Sequence, residues 1–310
     1  MDSFRSYMLM QIYKRVSKLG DRLARVEGLV DWEAFRPIVS GMFMNDSERG
    51  GRPNVDEVVM VKLLVLQQWY GLSDEELERQ AVNRIDFQHF LGYPEEIPDS
   101  TTVWLFRERL AQTGKDDEIW EELQRQMDEK GLRVRKGVAQ DATFITADPG
   151  PSTKPRGEDA VTRRSRDGDW AKRRKSSTFG YKLHVKSDTD LHLIRDLETT
   201  SASIHDGRVD LSQPGEVVYR DKGYFGVEPR GYDATMRRGV RSHQLGIRDR
   251  LRNVRISRRR APVERAFSLM KRVFGAGHVL VATRERVHVK MMFTCVCFNL
   301  MQLSTLGFAA

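Results

Sequence analysis

The spacing of apolar residues changes near residue 131, and no other feature of the chain constrains its fold as strongly. Residues 58–70 are apolar nearly all round, as expected for a buried helix. Residues 138–146 are instead rich in β-branched side chains, and residues 179–187 alternate between apolar and polar, which predicts strands. We therefore expect a helical N-terminal domain, residues 1–130, followed by an α/β domain, residues 131–310.

Short helices joined by tight turns are predicted for the N-terminal half. Gly71 ends the apolar helix, and Ser73 is placed to cap the next one, with Glu76 as its capping-box partner. The further helices predicted here cover residues 74–81, 85–91 and 103–110.

The last of these helices follows Asp99 and Ser100, either of which is a suitable N-cap residue. It carries Arg107 and Arg109, so the region is compatible with a helix-turn-helix unit that contacts DNA. An ordinary helical bundle fits the same pattern equally well. Because this half of the chain is acidic, a DNA contact would have to come from a local basic face.

The C-terminal half is predicted to alternate strands with loops and to end in helices. A hairpin is expected from residues 179–187 and 191–200, joined by a turn at Asp188 and Asp190. The other segments are short strands over 216–220 and 239–244, a long basic loop over 149–175 and a helix over 261–274, with Pro262 in its first turn.

Charge is divided unevenly between the two halves. Residues 1–140 carry 20 basic and 25 acidic side chains, whereas residues 141–310 carry 32 and 19. The surplus of the second half comes largely from two clusters, residues 163–175 and 237–260, and the latter contains ten arginines and one acid. So dense a basic run repels itself, and a phosphate backbone would neutralise it, which predicts a polyanionic partner.

Several classes of protein are excluded by composition. With 39% apolar residues the chain can build a core, so global disorder is not expected. Cys295 and Cys297 are its two cysteines, which excludes a disulfide scaffold and a zinc motif and favours a reducing, cytoplasmic compartment. Residues 291–310 contain no charge, but their polar side chains favour a buried helix over a membrane span. No signal peptide is predicted at the N-terminus.

Three acidic residues stand in places where a carboxylate is costly. Asp141 interrupts an apolar strand, Asp221 ends another, and Glu264 lies on the first turns of an apolar-faced helix. Each has a structural explanation: an ion pair, a turn cap or a favourable helix dipole. Together they also suit a carboxylate set for two Mg²⁺ ions that would assist phosphoryl transfer. Spacing alone leaves both readings open.

Basic residues flank Glu264 at helical spacing. Arg260 lies four residues before it and Lys271 seven after, so all three share a face if the helix extends back to Arg260. Arg260 would then orient a carboxylate, and Lys271 would hold a phosphate. The alternative is a solvated ion pair that contributes about 0.3–0.5 kcal/mol.

These residues resemble a known family. Arg260, Glu264 and Lys271 match the R-x3-E-x6-K part of the signature of bacterial DDE transposases of the insertion-sequence four and five superfamily. Asp141 in QDATFI and Asp221 in VVYRDKGYFG resemble the first and second aspartates of that family. The resemblance extends to GRP at residues 51–53 and, in the insertion-sequence five branch, to FLGYPEEIPDSTTVWLFRERL, FGYKLHVKSD and SASIHDG, so that it covers roughly residues 50–305.

The resemblance implies an RNase H-like α/β core with Asp141 on the first strand, Asp221 after the fourth and Glu264 on a late helix. The three carboxylates would bind two Mg²⁺ ions, which Mn²⁺ can replace. The enzyme would cut DNA at the element ends and transfer the freed strand to target DNA. A homodimer on double-stranded DNA is also implied. The DNA contacts expected from the resemblance and the basic run are Lys182, Lys222, Arg258, Arg259, Arg260, Arg265 and Lys271.

The chain departs from the family at one signature position. Ser257 replaces the tyrosine expected three residues before Arg260, so no role is transferred to it. The 43 positions between Asp221 and Glu264 leave no room for the β-insertion that some relatives carry, which predicts a compact core. His184 is expected to be a half-buried strand residue, and His205 is expected to form a turn hydrogen bond.

The sequence also fits two alternatives to a transposase. One is a metal-dependent nuclease on the same fold that does not transfer strands. The other is a helix-turn-helix regulator without enzymatic activity, whose basic half only binds DNA. Asp141→Ala would leave such a regulator fully active, whereas it would inactivate either enzyme.

Overall fold

The computed structural model describes residues 4–43, 54–150, 165–173, 176–240, 244–280 and 283–307. The chain divides into two compact units. We call Met1–Lys130 with Met292–Ala310 the helical unit, and Gly131–Met291 the sheet unit. The GRP motif at residues 51–53, most of the basic loop over 149–175 and part of the strand predicted over 239–244 lie outside the described residues.

The described part of the helical unit is built from α-helices and short turns. Its helices are α1 (Phe4–Leu19), α2 (Arg22–Glu27), α3 (Arg36–Ser40), α4 (Glu57–Tyr70), α5 (Asp74–Asn83), α6 (Ile85–Phe90), α7 (Ser100–Thr113), α8 (Lys115–Glu129) and the end of α10 (Arg284–Thr305). The predicted helices over 58–70, 74–81, 85–91 and 103–110 are confirmed with small shifts of their ends.

Helix α4 lies at the centre of the helical unit, since most of its side chains are buried. Asp56 caps its N-terminus by accepting a hydrogen bond from the Val59 amide at 3.0 Å. Gly71 ends it with a φ of 65°, a left-handed conformation that glycine adopts without strain. Even the buried Lys62 of α4 is neutralised, because its Nζ lies 3.1 Å from Glu27 Oε1.

The predicted caps of the next helices are also confirmed. The Ser73 hydroxyl accepts from the Glu76 amide at 3.2 Å, and the Asp99 carboxylate accepts from the Thr102 amide at 2.6 Å. Arg107 of α7 forms two 2.8 Å hydrogen bonds with the Asp74 carboxylate. Its guanidinium is therefore engaged inside the helical unit, which favours a structural role for Arg107.

The described part of the sheet unit forms one mixed sheet. Its strands are β1 (Val138–Ala147), β2 (Asp169–Arg173), β3 (Ser176–Asp188), β4 (Ile194–Ser201), β5 (Val217–Arg220), β6 (Tyr232–Thr235) and β7 (His278–Val279). The main order is β4-β3-β1-β5-β6, with β3 antiparallel to β1 and β4, and β5 parallel to β1 and β6. This arrangement confirms the predicted RNase H-like α/β class.

Three strands were not predicted. Strand β2 lies inside the predicted loop over 149–175 and pairs with the first part of β3. Its sequence is charged and lacks alternation, which an edge strand tolerates because only one of its edges is paired. The others are β6, which pairs with β5, and the short β7, which pairs with the end of β1. At the start of β3, Gly180 allows close packing on β1, since a Cβ there would lie 2.1 Å from the Ile145 carbonyl oxygen.

Helix α9, Ile247–Arg272, packs against β1 and β5. Its predicted start at residue 261 is wrong, because Pro262 lies inside the helix rather than in its first turn. The predicted C-terminal helix is present as α10. Within the described residues, no helix is both long and apolar enough to span a membrane.

Candidate active site

Asp141 lies near the middle of β1, opposite Val185 of β3. Its side chain is only 18% exposed. Oδ1 accepts a hydrogen bond from the Ala142 amide at 2.9 Å. A carboxylate in this position needs a positive partner, and helix α9 supplies one.

That partner is Arg260, whose Nη2 donates to Oδ2 of Asp141 at 2.6 Å. Arg260 is 6% exposed, and among the described residues its Nε has no hydrogen-bond partner. The helix extends back beyond Arg260, so Arg260 and Glu264 are one turn apart on the same helix, as the spacing predicted. The guanidinium fixes the orientation of the Asp141 carboxylate.

The pKa of Asp141 is raised to about 6. Burial is the main cause, the positive charge of Arg260 opposes it, and the negative charge of Asp221 adds to it. Asp221 therefore lies close enough for its charge to act on Asp141.

Asp221 follows β5 directly and shapes the turn after it. Its Oδ1 accepts a hydrogen bond from the Gly223 amide at 2.6 Å, which confirms the predicted turn cap. The preceding residue, Arg220, is completely buried and donates to Thr235 Oγ1 at 2.9 Å and to the Val227 carbonyl at 2.5 Å. Arg220 thus anchors the turn that carries Asp221, a role that sequence reasoning missed.

Tyr224, in the same turn, was also missed. It is 1% exposed, and its hydroxyl has no hydrogen-bond partner within the described residues. Burial, together with the charges of Asp141, Asp206 and Asp221, raises the pKa of Tyr224 well above its usual range. The phenol is therefore a permanently protonated donor in a region of negative charge.

Lys182 lies within this part of the sheet unit rather than on its surface. It is 8% exposed, and its Nζ donates to the Ile204 carbonyl at 2.6 Å and to Asp206 Oδ1 at 2.8 Å. These contacts join β3 to the segment that carries Asp206, so the geometry favours a structural role over the predicted DNA contact.

The two histidines of this region have structural positions. The His205 ring accepts from the Gly207 amide at 3.1 Å, which is the predicted turn hydrogen bond. His184 is fully buried, and its Nε2 lies 2.9 Å from Thr200 Oγ1. Burial lowers the pKa of His184 to about 4, so the ring is neutral near pH 7.

Glu264 is exposed on α9. Across the described ranges, the carboxylate oxygens of Asp141, Asp221 and Glu264 do not all lie within 4.8 Å of one another. The donor set nevertheless suits a divalent cation, because carboxylate oxygens are the ligands that Mg²⁺ prefers and Asp141 and Asp221 repel each other without a cation between them.

The other predicted DNA contacts are distributed over the sheet unit. Lys222, Arg258, Arg259 and Arg265 are exposed, Lys271 is half-buried, and Arg260 is engaged by Asp141. Ser257, at the position of the signature tyrosine, is exposed on α9. The basic residues at 163, 164, 174, 175 and 241 lie outside the part of the chain that the structure describes.

Comparison with known families agrees with this geometry. Residues 10–109 match a family described as "Transposase domain (DUF772)". Residues 133–300, more than half of the chain, match the family "Transposase DDE domain". The chain belongs to the DDE transposase family, a class of proteins that act on DNA.

One solved structure with a similar chain trace is described as "Cryo-EM structure of piggyBac transposase synaptic complex with hairpin DNA (SNHP)". The similarity covers 92% of this chain and 74% of that chain, at 10% sequence identity and a TM-score of 0.45.

Proposed function

We propose that this transposase cuts DNA at the ends of an insertion sequence and joins the freed ends to target DNA. The observation that carries the proposal is the ion pair of Arg260 with Asp141, with Asp221 close enough to influence the pKa of Asp141, within the region that matches the DDE domain. Arg260 favours the ionised form of Asp141, which is the form that can bind a cation.

Asp141, Asp221 and Glu264 are assigned as ligands of two Mg²⁺ ions, which Mn²⁺ can replace. When bound, such ions stabilise the attacking and leaving oxygens of an in-line phosphoryl transfer. Glu264 is exposed on α9, one helical turn after Arg260. Arg260 and the Arg220-anchored turn hold the two aspartates in place.

The reaction has two steps. In the first, water attacks the phosphorus at the element end, the bond to the 3′ oxygen breaks, and that oxygen leaves as a hydroxyl. In the second, the freed 3′ hydroxyl attacks a phosphodiester of the target, forms a new bond to phosphorus and displaces a target 3′ oxygen. Lys222, Arg258, Arg259, Arg265 and Lys271 are assigned to the DNA backbone, because they lie on the same elements as the carboxylates.

The finer assignments follow the sequence resemblance. We place the chain in the insertion-sequence five branch and expect a homodimer that holds two element ends in the bacterial or archaeal cytoplasm, at the nucleoid. Residues 1–130, a helix-turn-helix-like domain, would read the ends or assemble subunits, and residues 131–310 would catalyse. The acidic character of the first part makes strong backbone binding by it alone unfavourable.

The test uses the purified full-length chain and duplex DNA that ends in the inverted repeats flanking its gene. We expect cutting at the repeat end and a product joined to target plasmid with Mg²⁺ or Mn²⁺, and neither with EDTA. Cutting without a joined product would support the nuclease alternative. DNA binding that is independent of metal, without any cutting, would support the regulator alternative.

A further inference from the structure

A groove of about 690 Å³ runs along α9 in the sheet unit, on the side of β5 and β6. Its volume is within the range of about 300–1,000 Å³ that is typical of ligand sites. The groove has an apolar floor and a basic rim. It is lined by Val217, Tyr219, Ala234, Arg252, Arg255, Ile256, Arg258 and Arg259.

The side chains on one face of β5 form part of the groove floor. Val218 and Arg220 are completely buried on one face of the strand, whereas Val217 and Tyr219 are half-buried on the other and line the groove. Ile256 of α9 adds a further apolar side chain. The Tyr219 ring is thus an accessible aromatic surface within an apolar floor.

The rim carries uncompensated positive charge. Arg255, Arg258 and Arg259 are exposed, and none of them has a hydrogen bond or ion pair within the described residues. Arg252 is different, because its Nη1 donates to the Thr235 carbonyl at 2.5 Å and ties α9 to the end of β6. Three guanidinium groups therefore remain available for an anionic ligand.

We propose that this groove binds an unpaired DNA strand, with phosphates on Arg255, Arg258 and Arg259 and a base against Tyr219. Duplex DNA would offer phosphates to the rim but would keep its bases stacked inside, so the apolar floor would have no partner. An arginine-lined groove with an aromatic platform is typical of single-strand binding. The inference rests on the proposed function, because only a protein that acts on DNA would meet an unpaired DNA strand.

The position of the groove connects it to the carboxylates. Tyr219 lies two residues before Asp221 on the chain, and Arg259 directly precedes Arg260, which binds Asp141. Along α9, Arg259 and Glu264 are about 8 Å apart, at about 1.5 Å per residue. The groove therefore lies along β5, which Asp221 directly follows, and along α9, which carries Glu264.

The experiment measures binding of a short fluorescein-labelled oligothymidylate to the full-length chain in EDTA, by fluorescence anisotropy, beside a duplex of equal length. Arg258→Ala and Arg259→Ala should each weaken oligothymidylate binding and lower the salt slope by about 0.7 for each phosphate that is no longer neutralised. Arg272→Ala is the matched control, since Arg272 is exposed on the same helix outside the groove, and it should change neither value.

The floor is tested with Tyr219. Tyr219→Ser should weaken oligothymidylate binding by about 5- to 150-fold, and Tyr219→Phe should bind as the wild type does, because it retains the ring. If Tyr219→Ser unfolds, Tyr219→Leu replaces it, since leucine fills the floor without a platform. Duplex binding should change less than oligothymidylate binding for each groove variant.

Equal losses for both DNAs, or losses for the duplex alone, would show that the groove holds a duplex backbone and would overturn the inference. Unchanged binding of oligothymidylate by all groove variants would overturn it as well. Neither result would contradict the proposed function, because cutting and joining of end DNA are measured separately, in the presence of metal. A failure of the proposed function would instead appear as absent cutting while oligothymidylate binding follows the groove variants.

Discussion

The exposed arginines of α9 in the sheet unit differ from two arginines of the helical unit in how their charges are compensated. In the helical unit, Arg107 is bonded to Asp74, and Arg36 is bonded to Glu33, Asp56 and Glu57. In the sheet unit, Arg255, Arg258, Arg259 and Arg265 have no such partner among the described residues. Charges that are compensated within the fold stabilise it, whereas charges left uncompensated are available to a ligand.

Two aspartates, Asp74 of the helical unit and Asp141 of the sheet unit, also differ in how fully their charge is compensated. Asp74 receives two bonds from Arg107 and one from the Gln67 amide at 2.6 Å, which satisfies its carboxylate. Asp141 receives one arginine bond, and its pKa is raised by burial and by the nearby charge of Asp221. The sheet unit thus keeps carboxylates together at a cost in stability, as functional sites do.

The largest effect on stability is expected at Arg260. Arg260→Met leaves Asp141 without its partner and should lower the free energy of unfolding by about 3–5 kcal/mol at pH 8. The loss should be smaller at pH 5, where Asp141 is protonated. Urea unfolding at both pH values checks this. Arg265→Met replaces an exposed arginine on the same helix and should change stability by no more than about 0.5 kcal/mol. Equal effects of the two variants would show that the Arg260–Asp141 ion pair does not stabilise the fold.

Titration should also distinguish Asp141 from His184, two groups of the sheet unit whose pKa values are shifted in opposite directions. Asp141, with its pKa raised from 3.8 to about 6, contributes stability that is present below pH 3.8 and lost as pH rises through 6. His184, with its pKa lowered from 6.5 to about 4, contributes stability that is present above pH 6.5 and lost as pH falls through 4. Each contribution is about 3 kcal/mol and they oppose each other.

Asp141→Asn removes the first contribution. Its stability in EDTA should therefore rise by about 3 kcal/mol between pH 4 and pH 6.5, whereas the wild type should change little. Urea midpoints across this range provide the measurement. A flat profile for Asp141→Asn would show that His184 is not held neutral, and adding His184→Gln to Asp141→Asn should flatten the profile.

In the helical unit, a compensated ion pair should give a smaller, purely structural effect. Arg107→Met removes charged hydrogen bonds to a partly buried Asp74 and should cost about 2 kcal/mol. End-DNA binding, once corrected for the folded fraction, should not change. A specific loss of DNA affinity in a fully folded Arg107→Met protein would restore the helix-turn-helix reading for this arginine.

The smallest effect is expected for a hydroxyl that lacks a partner. Tyr224→Phe should change the free energy of unfolding by less than about 0.5 kcal/mol, since no described residue bonds the Tyr224 hydroxyl. Tyr13→Phe in the helical unit is the matched variant, because the Tyr13 hydroxyl donates to Asp21 Oδ2 at 2.6 Å, and it should cost about 1 kcal/mol. Differential scanning calorimetry would compare the two; a larger loss for Tyr224→Phe would contradict the contrast.

Sequence reasoning reached the elements whose signals are local. The caps at Ser73 and Asp99 and the alternation of β3 depend on neighbouring residues, and all three are confirmed. Strand β2 and the first half of α9 were missed because their charged residues show no apolar period and are stabilised by tertiary pairing. Pro262 added to the error, since proline is more typical of a first turn than of a helix interior.

Only those residues of the candidate site that have a local sequence signal were predicted. Asp141 and Asp221 could be found because a carboxylate in an apolar strand is unusual and because the surrounding motifs resemble a family. Arg220 and Tyr224 could not, since Arg220 bonds Thr235, fifteen residues further on, and Tyr224 is influenced by the charge of Asp141, which lies on β1. Only the fold brings those groups together.

The most direct test of the account is cutting of end DNA by Asp221→Asn. Asparagine keeps the side-chain oxygen that accepts from the Gly223 amide, so the turn and DNA binding should be preserved. We predict wild-type affinity for end DNA and a cutting rate reduced on the order of 10³-fold in Mg²⁺. Cutting at the wild-type rate by a folded Asp221→Asn protein would contradict the assignment of Asp221 to the catalytic carboxylates.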